Sequence, residues 1–318
     1  MNPFNLILED IVNEIHEFNI KLAKGYKSLS DLGEIQVGVS EKEAVHQEDN
    51  VVLYHFKSRT KKQNPIPLLI VYALVNRPYI ADLHEECSII RGLLDEGVDV
   101  YLIDWGYPVS ADKYLTLDDY INGYIDRCVD VVCEKCNKKN INLLGICQGG
   151  VFSLCYTALN PKKVKNLITT TTPVDFHTKQ DLISHIVKKI DIDKMVDTLG
   201  NIPGEMLNVI FLSLKPYTLM GQKYVSLVKI LDDKEKLMNF MRMEKWIFDT
   251  PDLVGEAYRE FIKQFYQQNR LIKGTVKIGD NIVDLSKIII PTLNIYARDD
   301  HLVPPDASKA LESYINSQ

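Results

Sequence analysis

A mainly parallel α/β fold is predicted for this chain by three observations. Short continuous apolar runs recur along it, helical patterns separate them, and one run passes through Gly145-Ile146-Cys147-Gln148-Gly149 into another helical pattern. The runs fall at 68–75, 98–105, 141–145, 164–170 and 288–297, and the helical patterns near 83–96, 117–135 and 149–159. Strands buried on both faces need such continuous runs, and strand–helix alternation gives a right-handed parallel sheet with helices on both faces.

The remaining elements follow in chain order. Phe4, Ile7, Leu8, Ile11, Val12, Ile15 and Phe18 repeat at helical spacing, so a leading amphipathic helix is expected over 4–26. Alternating runs at 35–39 and 51–56 predict antiparallel edge strands. Thr116, with Asp119 three residues on, is a good start for the helix that follows. The regularity stops at about residue 178, where amphipathic helical stretches begin, broken at Pro203-Gly204, Pro216 and Pro251. Residues 1–177 and 274–318 are therefore expected to form the core, and 178–273 a helical cap. A cap there lies over the carboxyl ends of the strands, where open α/β sheets bind ligands.

Composition narrows the function. The 318 residues are 46% hydrophobic and 25% charged, as in an ordinary globular domain. The 37 basic and 43 acidic residues give a net charge of −6 without a basic stripe, which argues against nucleic acid. No apolar run approaches the roughly 20 residues that span a bilayer. The amino terminus has no signal-peptide pattern, and six irregularly spaced cysteines fit a reducing, cytoplasmic setting. Phosphate-cradling and dinucleotide fingerprints are missing, so no cofactor is expected. Cys133-Glu134-Lys135-Cys136 has the CxxC spacing but lacks a second pair or nearby His for zinc, and it sits at a helix end.

The chemistry centres on residues 145–149. A strand, a nucleophile flanked by glycines two residues either side, and a helix make the nucleophile elbow of the α/β-hydrolase fold, here with cysteine in place of the usual serine. A side chain at either glycine would strike the neighbouring strand or helix. Cysteine suits a carrier: attack on a thioester gives a thioester of similar energy, so an acyl group is held and passed on. In this fold the partners follow in the order nucleophile, carboxylate, histidine. The loop 297–305 after the last strand supplies Asp300 as the carboxylate. Backbone N–H groups of Gln148 and Val75 are the expected oxyanion hole. Asn76 and Arg77 either position substrate or cap the loop, and Tyr79 packs.

Five ordered motifs, Leu68 to Tyr79, Asp104-Trp105-Gly106-Tyr107-Pro108, Asp118-Asp119-Tyr120, Gly145 to Gly150 and Asp300-His301-Leu302-Val303-Pro304, resemble those of polyhydroxyalkanoate synthases. The short chain is most similar to the class III catalytic subunit, over residues from about 30 to 312. The resemblance implies an acyltransferase that polymerises (R)-3-hydroxyacyl-CoA, with 3-hydroxybutyryl-CoA the expected monomer, and releases CoA. It implies Cys147 as the acyl carrier and Asp300 as the triad carboxylate. It further implies a growing polyester as a binding partner, a second synthase subunit, self-association through the cap, and a place at the surface of polyester granules. CoA is then part of the substrate and no cofactor.

One departure stands out. The family's triad histidine lies beyond the carboxylate in a Gly-His context, and no histidine follows His301 here. The chain therefore reads as a carboxyl-terminally incomplete member that is essentially inactive as written. His301 is the one substitute base, although adjacent side chains of an extended segment point to opposite sides. A thioesterase on the same scaffold, with water as acceptor, and an inactive fragment are the alternatives. The cysteine and the aromatic cap favour acyl transfer, because a carrier that resists hydrolysis needs a dry site.

Overall fold

The computed structural model describes residues 33–214 and 223–317. The helix expected over 4–26 and the break at Pro216 lie outside the described residues. Strands β1 (Lys42–Glu48), β2 (Val51–Phe56), β3 (Leu68–Val71), β6 (Val100–Asp104), β7 (Ile141–Ile146), β8 (Val164–Thr170) and β11 (Thr292–Ile295) form one seven-stranded sheet. Its order is β1-β2-β6-β3-β7-β8-β11. From β6 to β11 every pair is parallel, while β1 and β2 run antiparallel at one edge. Two small ribbons stand apart, β4–β5 (Asp82–His84, Cys87–Ser88) and β9–β10 (Val276–Ile278, Asn281–Val283). This is the α/β-hydrolase architecture.

Burial on both sheet faces follows the two-residue period of a strand. Leu69 and Val71 of β3, with Tyr101 and Ile103 of β6, join the larger core on one face. Leu68 and Ile70, with Val100 and Leu102, join a smaller core on the other, against Ile90 and Leu94 of helix α1 (Ile89–Asp95). Helix α2 (Asp126–Cys136) is entered through a π-helical stretch, Asp119–Ile125. As expected, Thr116 and Asp119 close its start: the Thr116 hydroxyl donates to the Asp119 carboxylate over 2.7 Å. Helix α3 (Gln148–Leu159) follows β7 and is buried along almost its whole length.

Three expectations for strands and helices are corrected. Residues 35–39 are irregular, and the edge strand is the polar Lys42–Glu48 instead. The tight turn at Asp49-Asn50, with Asp49 at φ 51°, pairs Glu48 with Val51, so β2 takes the segment immediately before it as its partner. The helix expected from residue 83 begins at Ile89, because Asp82 to Ser88 fold back as a ribbon; buried Asp82 accepts hydrogen bonds from Ser40 and Ser88. The run 288–297 yields only four paired residues after Pro291, and Leu293 and Ile295 are exposed, since β11 is the outermost strand described.

After β8 come helices α4 (Leu182–Val187), α5 (Ile192–Leu199), α6 (Gly204–Ser213), α7 (Lys223–Ile230), α8 (Lys234–Phe248) and α9 (Gly255–Phe261), the last extended by a π-helical stretch, Ile262–Gln267. Most of this segment shares the larger core: Phe261, Phe265 and Tyr266 pack on Phe176, and Phe261 meets Phe152 of α3 edge to face at 6.0 Å. Helices α7 and α8 differ, enclosing a small cluster of their own around Leu231 and Leu237. Helix α10 (Pro305–Lys309) closes the described fold after β11.

Phe152 therefore joins the sheet to the helices after β8. Phe152→Ala is expected to cost about 3–5 kcal/mol of unfolding free energy, measured as a lowered urea midpoint with unchanged slope.

Candidate active site

Cys147 sits at the carboxyl end of β7 with φ 55° and ψ −122°, a strained conformation for a residue with a side chain. Backbone bonds hold it: its N–H donates to Thr170 O over 2.9 Å, and Gly150 N–H donates to its carbonyl over 2.9 Å. The glycines are required by contact. A Cβ on Gly149 would lie 2.2 Å from the Val71 carbonyl, one on Gly145 2.4 Å from Gly150 Cα, and one on Gly150 1.8 Å from Thr172 Oγ1. The elbow exists because α3 lies directly against the ends of β3 and β7.

Val75 and Asp300 come from loops at the same end of the sheet, after β3 and after β11. The Leu74 N–H donates to Gln148 Oε1 over 3.0 Å, so the side chain that follows Cys147 also holds the loop that carries Val75. Val75 N–H donates to no described residue. Asp300 Oδ1 accepts from the amides of Leu302 (2.9 Å) and Val303 (3.1 Å), which orients the carboxylate. His301 follows it, half-buried, in the same bend.

Asn76 and Arg77 cap the loop. Arg77 bonds Asp104 and the Gly106 carbonyl and stacks over Tyr107 at 4.2 Å. Asn76 reaches the carboxyl end of α8, bonding Trp246 O (3.1 Å), Ile247 O (3.2 Å) and Thr250 Oγ1 (2.7 Å). Tyr79 does more than pack: its hydroxyl donates to Asp249 Oδ2 over 3.0 Å, and Tyr107 donates to the other oxygen over 2.6 Å.

Burial pushes the Cys147 thiol up to about 11; the Gln148 amide at the start of α3 opposes this, and the nearby Asp300 charge adds to it. A thiol so placed is held neutral at pH 7. Two tyrosines missed by sequence reasoning complete the surroundings. Tyr72 and Tyr266 are both held above the usual phenol range, first by burial and in part by the charge of Cys147. Tyr72 interrupts an otherwise aliphatic run, the one local signal that marked it.

Elsewhere, burial raises both Cys133 and Cys136, and Cys136 contacts Tyr101 and Asp99 at 3.4 Å. No group of three or more His, Cys, Asp or Glu suited to a metal occurs among the described residues. No helix among them is long and apolar enough to cross a membrane.

A family model described as the alpha/beta hydrolase fold matches residues 66–318, and one described as the N-terminus of poly-beta-hydroxybutyrate polymerase matches residues 2–93. The poly(3-hydroxyalkanoate) polymerase subunit PhaC of Allochromatium vinosum is 56% identical over 319 residues, covering 100% of this chain and 90% of that relative. Its counterpart in Thiocystis violacea is 56% identical over 315 residues, covering 99% and 89%. That of Synechocystis sp. is 52% identical over 316 residues, covering 97% and 84%.

A thiol at about 11 is ionised to about one part in 10⁴ at pH 7. Alkylation of Cys147 by iodoacetamide is therefore expected to rise about tenfold per pH unit from about pH 7 to about pH 10. Asp300→Asn removes a negative charge and moves that profile to lower pH. A flat profile across neutral pH would instead show a preformed thiolate.

Proposed function

This chain belongs to the poly(3-hydroxyalkanoate) polymerases, and we propose that it builds its polyester on Cys147 through a covalent thioester. The observation that carries this reading is the strained cysteine at the start of a buried helix, with the Asp300 carboxylate within electrostatic reach.

In the first step the Cys147 sulfur gives its proton to the imidazole of the triad histidine that the family resemblance implies, a residue other than His301, and attacks the thioester carbonyl of an (R)-3-hydroxyacyl-CoA. The carbonyl oxygen takes up negative charge facing the N–H groups of Gln148 and Val75. The tetrahedral adduct collapses, the bond to CoA breaks, and the CoA thiolate takes the proton from the imidazolium. Cys147 now holds the acyl group. In the second step the 3-hydroxyl of another hydroxyacyl unit attacks that thioester and gives its proton to the imidazole. An ester forms and Cys147 is released. Asp300 holds the imidazole and stabilises its charged form, and its Oδ2, which accepts from no described residue, is the free oxygen for that bond. Tyr72 and Tyr266 keep water from the acyl-enzyme.

The partners follow the same reading: a growing polyester, a second synthase subunit, and a second copy docking through the helices after β8, where Leu199, Met206 and Val209 are exposed. Work at the surface of a polyester granule belongs to this proposal.

The test is incubation with 3-hydroxybutyryl-CoA, following CoA release, acyl-protein mass and insoluble polymer. Cys147→Ala should abolish acylation while remaining folded, and Cys147→Ser should leave a trace, since its hydroxyl ionises far less readily. Asp300→Asn should cut turnover heavily; the serine-protease analogue loses about 10⁴-fold. Free hydroxy acid in place of polymer would make the chain a thioesterase.

His301→Gln tests the base separately. Because His301 directly follows Asp300, this substitution is expected to leave the rate of Cys147 acylation within about tenfold of the parent chain. In triad enzymes loss of the true base costs up to about 10⁶-fold, and a loss approaching that would make His301 the base.

A further inference from the structure

The loop carrying Val75 is gripped from two directions. On the sheet side, Gln148 Oε1 takes the Leu74 N–H, and Arg77 is fixed by Asp104 and Gly106. On the cap side, Asn76 donates to the last carbonyls of α8 and to Thr250, while the Trp246 indole N–H donates to Arg77 O over 2.9 Å. The last four carbonyls of a helix lack partners within it, so a side-chain donor there closes the helix end. The donor here comes from a loop about 170 residues earlier in the chain. Asn76 holds φ 59°, a conformation that asparagine tolerates better than most residues. Between these two grips the Val75 N–H donates to no described residue.

We infer that Asn76 is a positioning residue, which aligns the Val75 N–H for the reaction only while the carboxyl end of α8 is seated on the loop. The inference rests on the reading of Val75 as an oxyanion donor. It adds that the donor is set by the cap as well as by the sheet: when the end of α8 leaves, Asn76 loses its acceptors and the loop loses one of its two grips. The site then carries a full oxyanion hole only in its seated form, and an acyl group is transferred only there.

A helix-capping role alone would weaken the fold and slow every reaction of Cys147 alike. Alignment of an oxyanion donor predicts a selective effect. Thioester acylation builds negative charge on oxygen, whereas displacement of iodide from iodoacetamide occurs at saturated carbon and builds none there. The experiment measures both reactions of Cys147 in the full chain, at one pH, in Asn76→Gly and Asn76→Asp. Glycine keeps the left-handed backbone and removes the side-chain bonds; aspartate keeps the shape and removes the donor. Acylation by 3-hydroxybutyryl-CoA is expected to slow about 10²-fold in both, the usual scale for loss of one oxyanion donor, with the concentration for half-maximal rate unchanged. Alkylation should keep its parental rate. Equal slowing of the two reactions, or no slowing of acylation, would overturn the inference. Trp246→Phe, which removes the indole bonds to Arg77 O and to the Tyr72 hydroxyl, gives the same comparison if the Asn76 variants fail to fold, with Tyr72→Phe as its control. Cys147→Ala is run alongside: acylation surviving there would sink the reading of the nucleophile itself, whatever Asn76 does.

Discussion

The Val71 carbonyl leaves Gly149 no room for a side chain, and most of the site depends on that closeness. Because α3 can press against the end of β3, its first amide arrives beside the loop that leaves that strand. Gln148 then reaches Leu74, and the start of the helix is tied to the loop that carries Val75. The same closeness forces the backbone of Cys147 to φ 55°, so the strain at the nucleophile is the cost of bringing helix and strand together. The backbone bonds to Thr170 and from Gly150 keep that conformation in place.

Burial acts on Cys147 in two opposing ways. An apolar, crowded setting protects an acyl thioester from water, which a polymerising enzyme needs between additions. It also holds the thiol protonated, and the helix amide offsets this only in part. Asp300 does not help the thiol directly, since its negative charge works against a thiolate. In the triad proposed above its value would lie in what it does to an imidazole: a carboxylate raises the basicity of a histidine and stabilises it once charged.

Much of this could be read from the chain, for reasons of locality. The elbow is a short-range requirement: glycines must flank the nucleophile whatever the rest does, so Gly145, Cys147 and Gly149 mark themselves. The central strands announced themselves because both faces are buried, as Val100 to Ile103 show. The edges were less legible. Lys42–Glu48 has no apolar pattern, and its pairing is set by the turn at Asp49. The run 288–297 is apolar, yet it pairs only after Pro291 and on one side. Contacts that span the chain left no local trace. Asn76 meeting Trp246, or Tyr266 meeting Phe176, depends on how the helices after β8 fold back.

The separate cluster of α7 and α8 has a consequence for how substrate enters. Most helices after β8 share the sheet's own hydrophobic core, so lifting them would mean unfolding the protein. Around Leu231 and Leu237 that continuity ends, and α8 is tied to the rest largely through polar bonds, those of Asn76, Trp246 and Asp249 among them. Such bonds are exchanged for bonds to water at little net cost, whereas buried apolar surface is not. A path into the cleft that opened there would part polar bonds and leave both hydrophobic cores intact. Substrate and product could pass there while the sheet beneath stays rigid.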